Sequence, residues 1–232
     1  MYFAVIGDMI GSRTLSDRQS AQNSLQEALE EVNRFYTDSL ASLFTITLGD
    51  EFQGLLNDAD ELMEIVDRIR FSVYPLKLRF GIGVGSMSTE ILHDVSIGSD
   101  GPAYWAAREA IEYVHDNNDY GYSDICMRLY SDSKSRDGIE AQVTETVNSI
   151  LRLCGRMEKS WTQSQYTFVR EVVLKYRYGT AGEYYQKEIA DELGISPQMV
   201  SSRMKNTGLT TYISARQNIG KMLQKQWGGQ HE

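Results

Sequence analysis

The chain has 232 residues, of which 41% are hydrophobic and 24% are charged, and its formal net charge is -9. This length allows one large domain or two modest ones, and the composition is typical of globular proteins. No apolar run approaches the roughly 20 residues needed to cross a bilayer, and Met1 leads directly into strand-like sequence without a signal region, so we expect a cytoplasmic protein with no membrane partner. The two cysteines, Cys126 and Cys154, are too isolated for a disulfide framework or a zinc site.

The net charge is distributed unevenly along the chain. Residues 1–159 carry 14 basic and 26 acidic side chains, whereas residues 160–232 carry 9 basic and 6 acidic ones. An acidic segment binds nucleic acid poorly unless metal ions intervene, while a mildly basic one permits phosphate contacts. The two parts are therefore expected to have different partners.

The first predicted elements are a strand and a helix. Residues 2–8 form a short apolar run that is typical of a strand buried on both faces. Ser16 followed by Gln19 is a capping-box pattern and predicts the start of a helix. Apolar residues then recur at helical spacing, which predicts one face packed on a sheet: Leu25, Ala28, Leu29, Val32, Phe35 and Tyr36.

A β-hairpin is predicted at residues 44–56. Two β-prone runs meet at Gly49 and Asp50, and a two-residue connection with glycine first is what a type II′ turn requires. Such a turn places the carboxylate of Asp50 at the tip of the hairpin.

Helices and strands alternate in the next part of the chain. A helix begins near residues 58–60 and ends before Pro75, residues 78–85 form a strand whose glycines let another backbone or a ligand come close, and Pro102 begins a third helix. With a last strand at 125–130, this order predicts an α+β or α/β sandwich.

The polar residues 131–138 interrupt the pattern and indicate a domain boundary. We therefore expect a first domain at 1–135, a connecting helix at 136–159 and a helical domain at 160–232. The connecting helix either links the domains or pairs with a copy of itself.

Two aspartates are candidate metal ligands. If the strand ending at Asp8 lies beside the hairpin, Asp8 and Asp50 reach the same edge of the sheet. Two carboxylates, with water and phosphate oxygens in the remaining positions, usually hold Mg²⁺ in nucleotide sites, so Mg²⁺ or Mn²⁺ is the expected cofactor. Glu51 would add a ligand or act as a base.

Four segments occur in the order found in class III nucleotidyl cyclases and the related diguanylate cyclase palm domains: Val5-Ile-Gly-Asp-Met-Ile-Gly11, Leu48-Gly-Asp-Glu-Phe52, Arg79-Phe-Gly-Ile-Gly-Val-Gly85 and Gly101-Pro-Ala-Tyr-Trp-Ala-Ala-Arg108. The whole chain resembles the SatD family, which joins such a palm-like domain to a helical region. The resemblance implies an α+β, ferredoxin-like palm domain.

The resemblance to the cyclases also implies residue roles. Asp8 and Asp50 match the two metal-binding aspartates, and Arg108 matches an arginine that stabilises the transition state. The glycines of the matching segments are candidate nucleotide-binding residues: Gly7, Gly11, Gly49, Gly81 and Gly83. The chain departs from the cyclases at Tyr104, where they carry an asparagine that orients the ribose, and no lysine precedes Leu48, so the base and product cannot be carried over.

Simpler explanations exist for each of these residues. Gly49 and Asp50 can form a hairpin turn and nothing more, and Asp8 can cap the following segment. Arg108 can pair with Asp8 or Asp50, and Glu51 can be a surface residue of its strand.

Residues 186–205 carry a helix-turn-helix pattern. Gly194 supplies the left-handed turn residue, Ser196 caps the second helix, and Pro197 occupies its first position. With the preceding helix, predicted at 162–178, the unit resembles sigma-factor region four and LuxR-type regulators.

The second helix of this unit would meet double-stranded DNA. Val200 and Met204 face the core, which leaves five candidate DNA-binding residues: Gln198, Ser201, Ser202, Arg203 and Lys205. A structural helical hairpin or a protein-docking module is the alternative. Because one copy would bind DNA weakly, we expect a homodimer.

Taken together, these features favour a regulator in which a nucleoside triphosphate or nucleotide-derived ligand, bound with Mg²⁺, biases a DNA-binding domain. The alternative is an active nucleotidyl cyclase or nucleotidyltransferase whose helical domain serves assembly. A third hypothesis is an interaction protein in which both sites are idle.

Overall fold

The computed structural model describes residues 1–117, 123–130, 138–179 and 183–229. The strands in these ranges are β1 (Tyr2–Met9), β2 (Leu40–Leu48), β3 (Glu51–Leu56), β4 (Leu78–Gly85) and β5 (Ile125–Leu129). The helices are α1 (Arg18–Phe35), α2 (Leu62–Ser72), α3 (Pro102–Asn117), α4 (Ile139–Ser160), α5 (Gln163–Tyr176), α6 (Glu183–Leu193), α7 (Pro197–Thr207) and α8 (Leu209–Trp227).

The five strands form one mixed sheet in the order β2-β3-β1-β4-β5. Strand β1 is central and runs antiparallel to both β3 and β4, while β4 and β5 are parallel and are joined through α3. Ala4 and Ile6 of β1 pack with α3, whereas Phe3 and Val5 belong to the core shared with α1 and α2. Because side chains alternate along a strand, Asp8 lies on the same face as α3.

The mixed α/β architecture expected from the sequence is confirmed, with two local corrections. The N-cap of α1 is Asp17, whose carboxylate accepts the backbone N–H of Ser20 at 2.9 Å, so the predicted cap at Ser16 is wrong by one residue. The aspartate carboxylate takes the capping role expected of the serine hydroxyl, one residue further along the chain. Phe35, predicted to face the sheet, is 60% exposed because it lies at the last position of the helix.

The hairpin has the predicted two-residue turn. Leu48 pairs with Glu51, and Gly49 between them has a φ of +66°, whereas Asp50 has a negative φ. A positive φ at the first turn residue alone excludes the type I′ turn, which needs two.

Glycines in β4 let α3 approach the sheet closely. A Cβ atom on Gly81 would lie 2.2 Å from the carbonyl oxygen of Ala107, and one on Gly83 would lie 2.0 Å from that of Ala103. Both distances are far below van der Waals contact, so any larger residue would push the helix away. These glycines therefore serve helix–sheet packing.

Of the four C-terminal helices, α5 and α8 pack on α2 of the sheet domain, and α7 packs on α5, α6 and α8. One hydrophobic core contains residues of β1, α1 and α2 together with Val169 of α5, Val200 of α7 and Ile219 of α8. Helix α8 was not predicted from the sequence. The division at residues 135 and 159 and the arrangement of a palm domain followed by a helix-turn-helix domain stay predictions.

A buried ionic cluster lies inside this contact. Arg70 of α2 donates to Asp67 at 3.2 Å and to Glu158 of α4 at 2.5 Å, and Arg216 of α8 lies 3.3 Å from Asp67 and 3.2 Å from Glu158. The hydroxyl of Tyr212 lies within hydrogen-bond distance of both carboxylates. Two negative and two positive charges thus compensate each other inside the protein.

None of the helices in the described ranges has the length and apolar composition needed to cross a membrane.

Candidate functional site

Two carboxylates meet at the edge of the sheet where β1 ends and β3 begins. Gly7 pairs with Phe52 in the antiparallel register, so the next residues along, Asp8 and Glu51, stand opposite each other on the same face. Asp8 also stands opposite Arg79 of β4. The residue that the sheet places beside Asp8 is therefore Glu51 rather than Asp50.

Each of these carboxylates is held by an arginine through two hydrogen bonds. Nε and Nη2 of Arg79 donate to Oδ1 and Oδ2 of Asp8 at 2.8 and 3.0 Å. Nη1 and Nη2 of Arg108 donate to Oε2 and Oε1 of Glu51 at 2.6 and 2.9 Å. Arg108 therefore pairs with Glu51, not with the aspartates named from the sequence. We call these four residues the carboxylate-arginine cluster.

The two ion pairs are electrostatically linked, and the pair of Arg108 with Glu51 is the more exposed of the two. The hydrogen bonds to Glu51 raise the pKa of Arg108, and the negative charge of Asp8 adds a smaller increase. The side chain of Arg108 is 42% exposed and that of Glu51 is 29% exposed. A ligand in solution can therefore reach both partners of this pair.

Asp50 occupies the tip of the hairpin between β2 and β3. It lines a small cleft with Met9 and Gln22, and the side-chain amide of Gln22 donates to the carbonyl of Gly49 at 2.7 Å. The amide of Gln22 thus ties the hairpin tip to α1.

The carboxylate oxygens are hard ligands of the kind that Mg²⁺ prefers. No group of three or more histidine, cysteine, aspartate or glutamate side chains within the described ranges is arranged to hold a metal ion. A cation bound at this edge would be held by one or two carboxylates and by phosphate oxygens.

The candidate nucleotide-binding glycines fall into two groups. Gly7 lies under the ring of Phe52, and Gly81 and Gly83 lie under α3, so packing accounts for all three. Gly11, with a φ of +73°, and Gly49 are exposed turn residues, and Gly49 directly precedes Asp50. A nucleotide contact at any of the five stays a prediction.

Sequence reasoning did not assign a role to Arg79. The feature that could have indicated its role is that it is a charged residue in a strand that is otherwise apolar and glycine-rich. Such a residue needs a partner when the strand is central. Tyr104, the departure from the cyclases, is buried beside Ser96, and this burial raises the pKa of its hydroxyl.

The second candidate site is the exposed face of α7. Gly194 has a φ of +62°, and the hydroxyl of Ser196 accepts the N–H of Met199, which sets the turn and the start of α7 as predicted. Val200 and Met204 are buried. Four of the five candidate DNA-binding residues are exposed: Gln198, Ser201, Ser202 and Lys205.

The fifth residue, Arg203, lies against α5 instead. It is half-buried, and its guanidinium lies over the ring of Phe168 at 5.7 Å from the centroid. This stacking explains why an arginine occurs there without DNA.

Comparisons with known proteins give a family and one distant structure. The model of the SatD family matches residues 2–223. No curated protein was found to match. A bacterial light-regulated adenylyl cyclase is similar in structure with a TM-score of 0.39 and 11% sequence identity, over 54% of this chain and 42% of that chain. The chain thus spans less than half of the length of that cyclase.

Proposed function

The chain belongs to the SatD family, and we propose that it is a nucleotide-responsive DNA-binding regulator. In this proposal a nucleoside triphosphate with Mg²⁺ binds at the carboxylate-arginine cluster. Double-stranded DNA binds at the exposed face of α7, and the two events influence each other.

The observation that carries the proposal is the pairing of two carboxylates with two arginines at one accessible edge. A magnesium nucleotide brings a divalent cation and a polyphosphate at once. The cation would take the carboxylates of Asp8 and Glu51, and the freed guanidinium groups of Arg79 and Arg108 would take the phosphate oxygens. Each of the four groups exchanges one charged partner for another.

The same geometry favours binding over turnover. Arg108 and Glu51, named from the sequence as catalytic residues, neutralise each other, and the ribose-orienting position is the buried Tyr104. An active nucleotidyl cyclase or nucleotidyltransferase stays the alternative, in which the bound cation would stabilise charge on the transferred phosphoryl group.

The DNA-binding part of the proposal relies on α7. Lys205 near its carboxyl end suits a phosphate, and Gln198 and Ser201 in its first two turns suit base edges. Residues 160–232 carry 9 basic and 6 acidic side chains, so this segment repels DNA less than the rest of the chain does.

Coupling between the two sites would pass through packed structure. Helix α2 contacts α5 and α8, and the ionic cluster of Asp67, Arg70, Glu158 and Arg216 lies in that contact. A shift of the sheet domain therefore changes the packing of the helices without any free linker.

One experiment separates the proposal from its alternative. The full chain is incubated with each nucleoside triphosphate and Mg²⁺ or Mn²⁺, products are analysed by mass spectrometry, and affinity for duplex DNA is measured in the same samples by fluorescence anisotropy. We expect unchanged nucleotide and a nucleotide-dependent change in DNA affinity. A cyclised or transferred product would favour the enzyme alternative. A DNA affinity that is the same with and without nucleotide would contradict the regulator proposal.

A further inference from the structure

A second cavity lies between the C-terminal half of α3, strand β5 and helix α4. Its volume is about 110 Å³, and Tyr113, Arg128 and Arg152 are among its lining residues. No residue of the carboxylate-arginine cluster lines it. It is therefore a separate site, and a ligand bound there would be independent of the proposed function.

Arg128 is the unusual residue of this cavity. Its half-buried guanidinium lies over the ring of Tyr113, 4.8 Å from the centroid. Within the part of the chain that the structure describes, no carboxylate pairs with it, although Arg79 and Arg108 each have one. The chain has a net charge of -9, so an arginine without an acidic partner is unusual in it. A guanidinium carries five N–H donors, and without an acid beside it Arg128 retains its capacity to bind an anion.

A second arginine enters the cavity from α4. Nη2 of Arg152 donates to Oε1 of Glu145 at 2.6 Å and to Oγ of Ser149 at 3.0 Å. The side chain of Glu145 is 68% exposed, so it can leave the arginine at low cost. When Glu145 moves away, the positive charge of Arg152 adds to that of Arg128 in the field that acts on a ligand in the cavity.

Two polar side chains on the rest of the wall, those of Asn148 and Ser123, are satisfied by the backbone of β5. The side-chain amide of Asn148 accepts the N–H of Met127 at 2.8 Å and donates to its carbonyl at 3.0 Å, which closes the outer edge of β5. The hydroxyl of Ser123 donates to the carbonyl of Ile125 at 2.6 Å. The wall also carries the exposed carboxylate of Glu145 and the side-chain amide of Asn117, so the guanidinium of Arg128, which only donates and has no acid partner in the described ranges, is the group that favours an anion.

We propose that this cavity binds a tetrahedral oxyanion, namely a phosphate that is either free or the terminal group of a phosphate monoester. The volume of about 110 Å³ is well below the roughly 300–1,000 Å³ of pockets that enclose a whole small molecule, so only a compact group enters. The two guanidinium groups supply forked donors that match phosphate oxygens.

The test uses the full chain without divalent metal and inorganic phosphate as the probe. The arginine Nε–H signals are followed by ¹H–¹⁵N NMR, and the signal of Arg128 is identified by its loss in Arg128→Gln. We expect a saturable shift of that signal in the unchanged protein and at least a tenfold weaker phosphate affinity in Arg128→Gln. Glu145→Gln is expected to bind phosphate more tightly, because it removes a negative charge from the cavity wall.

A control variant and a second ligand test whether binding is specific to this cavity and which phosphate it prefers. Lys159→Gln removes one positive charge from an exposed position of α4 outside the cavity and should leave the affinity unchanged. Tighter binding of ribose 5-phosphate than of inorganic phosphate would assign the site to a monoester, and the reverse would assign it to free phosphate.

The proposal is overturned if the Arg128 signal does not shift with phosphate, or if Arg128→Gln binds phosphate as the unchanged protein does. Should Arg128→Gln fail to fold, Glu145→Gln still decides, because an unchanged affinity in that variant contradicts the site.

Discussion

At the scale of single residues, a metal ion and the arginines of the carboxylate-arginine cluster compete for the same two carboxylates. Asp8 and Glu51 are like charges on directly opposed positions of neighbouring strands, an arrangement that destabilises a sheet unless it is compensated. Arg79 and Arg108 provide the compensation. A metal ion that arrives alone must displace an arginine and leave it unpaired, so we expect metal and nucleotide to bind together.

The variant Arg79→Gln tests whether Arg79 competes with a metal ion for Asp8. It releases Asp8 and should raise the affinity for Mn²⁺ alone by about tenfold, which corresponds to about 1.4 kcal/mol, while weakening the affinity for the Mn²⁺-nucleotide complex. Binding of Mn²⁺ is measured by electron paramagnetic resonance with and without a nucleoside triphosphate. Arg34→Gln, an exposed change of the same charge on α1, is the control. If Arg79→Gln and the control bind Mn²⁺ alike, Arg79 does not compete with the cation.

At the scale of elements, the glycines of β4 position α3 and with it Arg108. A Cβ on Gly83 would lie 2.0 Å from the carbonyl oxygen of Ala103 and 2.3 Å from the backbone N of Ala107. Because backbone atoms cannot move aside as flexible side chains do, the helix itself must shift.

We therefore expect Gly83→Ala to destabilise the fold by about 1–3 kcal/mol, as overpacked cores do. Gly138→Ala is the matched control, since a Cβ there meets nothing within 4 Å and its φ of -86° suits any residue. Urea unfolding of both variants measures the difference. Equal stability of the two would mean that α3 does not depend on the glycines.

Helix α7 gives a prediction that separates phosphate contacts from base contacts. Lys205→Ala should weaken binding to all duplexes alike and lower the salt slope by about one, whereas Gln198→Ala should relax sequence preference at one position. Both residues are exposed, so neither change should affect folding. Salt titrations against random and selected duplexes provide the measurement, and failure of the unchanged protein to retain duplex at low ionic strength would favour a protein-docking role for α7.

The sequence predicted the elements better than it predicted the site. Periodicity, Gly49, Pro102 and the cap at Ser196 marked the hairpin and the starts of α3 and α7, because each depends on neighbours along the chain. The pairings of Arg79 with Asp8 and of Arg108 with Glu51 depend on strand register and helix placement, which no local pattern encodes. For the same reason the buried Arg216 and the whole of α8 were not predicted.

At the scale of the whole molecule, the buried ionic cluster fixes the helices to the sheet domain. Burial alone would raise the pKa of Glu158, but Arg70 and Arg216 outweigh this and hold it below the ordinary value of 4.5. The same burial raises the pKa of Asp67. Since the folded pKa of Glu158 is depressed, its contribution to stability is present above pH 4.5 and is lost as the pH falls through the folded value.

Glu158→Gln leaves two arginines facing one carboxylate in a buried place and should cost about 3–5 kcal/mol at neutral pH. The loss should shrink as the pH falls from about 4.5 towards the folded pKa of Glu158, because the unfolded chain already binds a proton there that the folded protein binds only at lower pH. Thermal unfolding between pH 3 and 7 measures this. Glu30→Gln, an exposed acid of α1, is expected to stay within about 0.5 kcal/mol at every pH, and a Glu158→Gln loss that is independent of pH would contradict the assigned charge.

The central claim is that the carboxylate-arginine cluster binds a nucleoside triphosphate together with Mg²⁺, and calorimetric titration of the full chain tests it most directly. Each nucleoside triphosphate is titrated with and without Mg²⁺ into the unchanged protein, Asp8→Asn, Glu51→Gln and Asp50→Asn. We predict binding that requires Mg²⁺ in the unchanged protein, that is lost in Asp8→Asn, and that falls more in Glu51→Gln than in Asp50→Asn, because Glu51 is the residue opposite Asp8. Titration curves in Asp8→Asn and Glu51→Gln that match those of the unchanged protein, with the metal present, would contradict the claim.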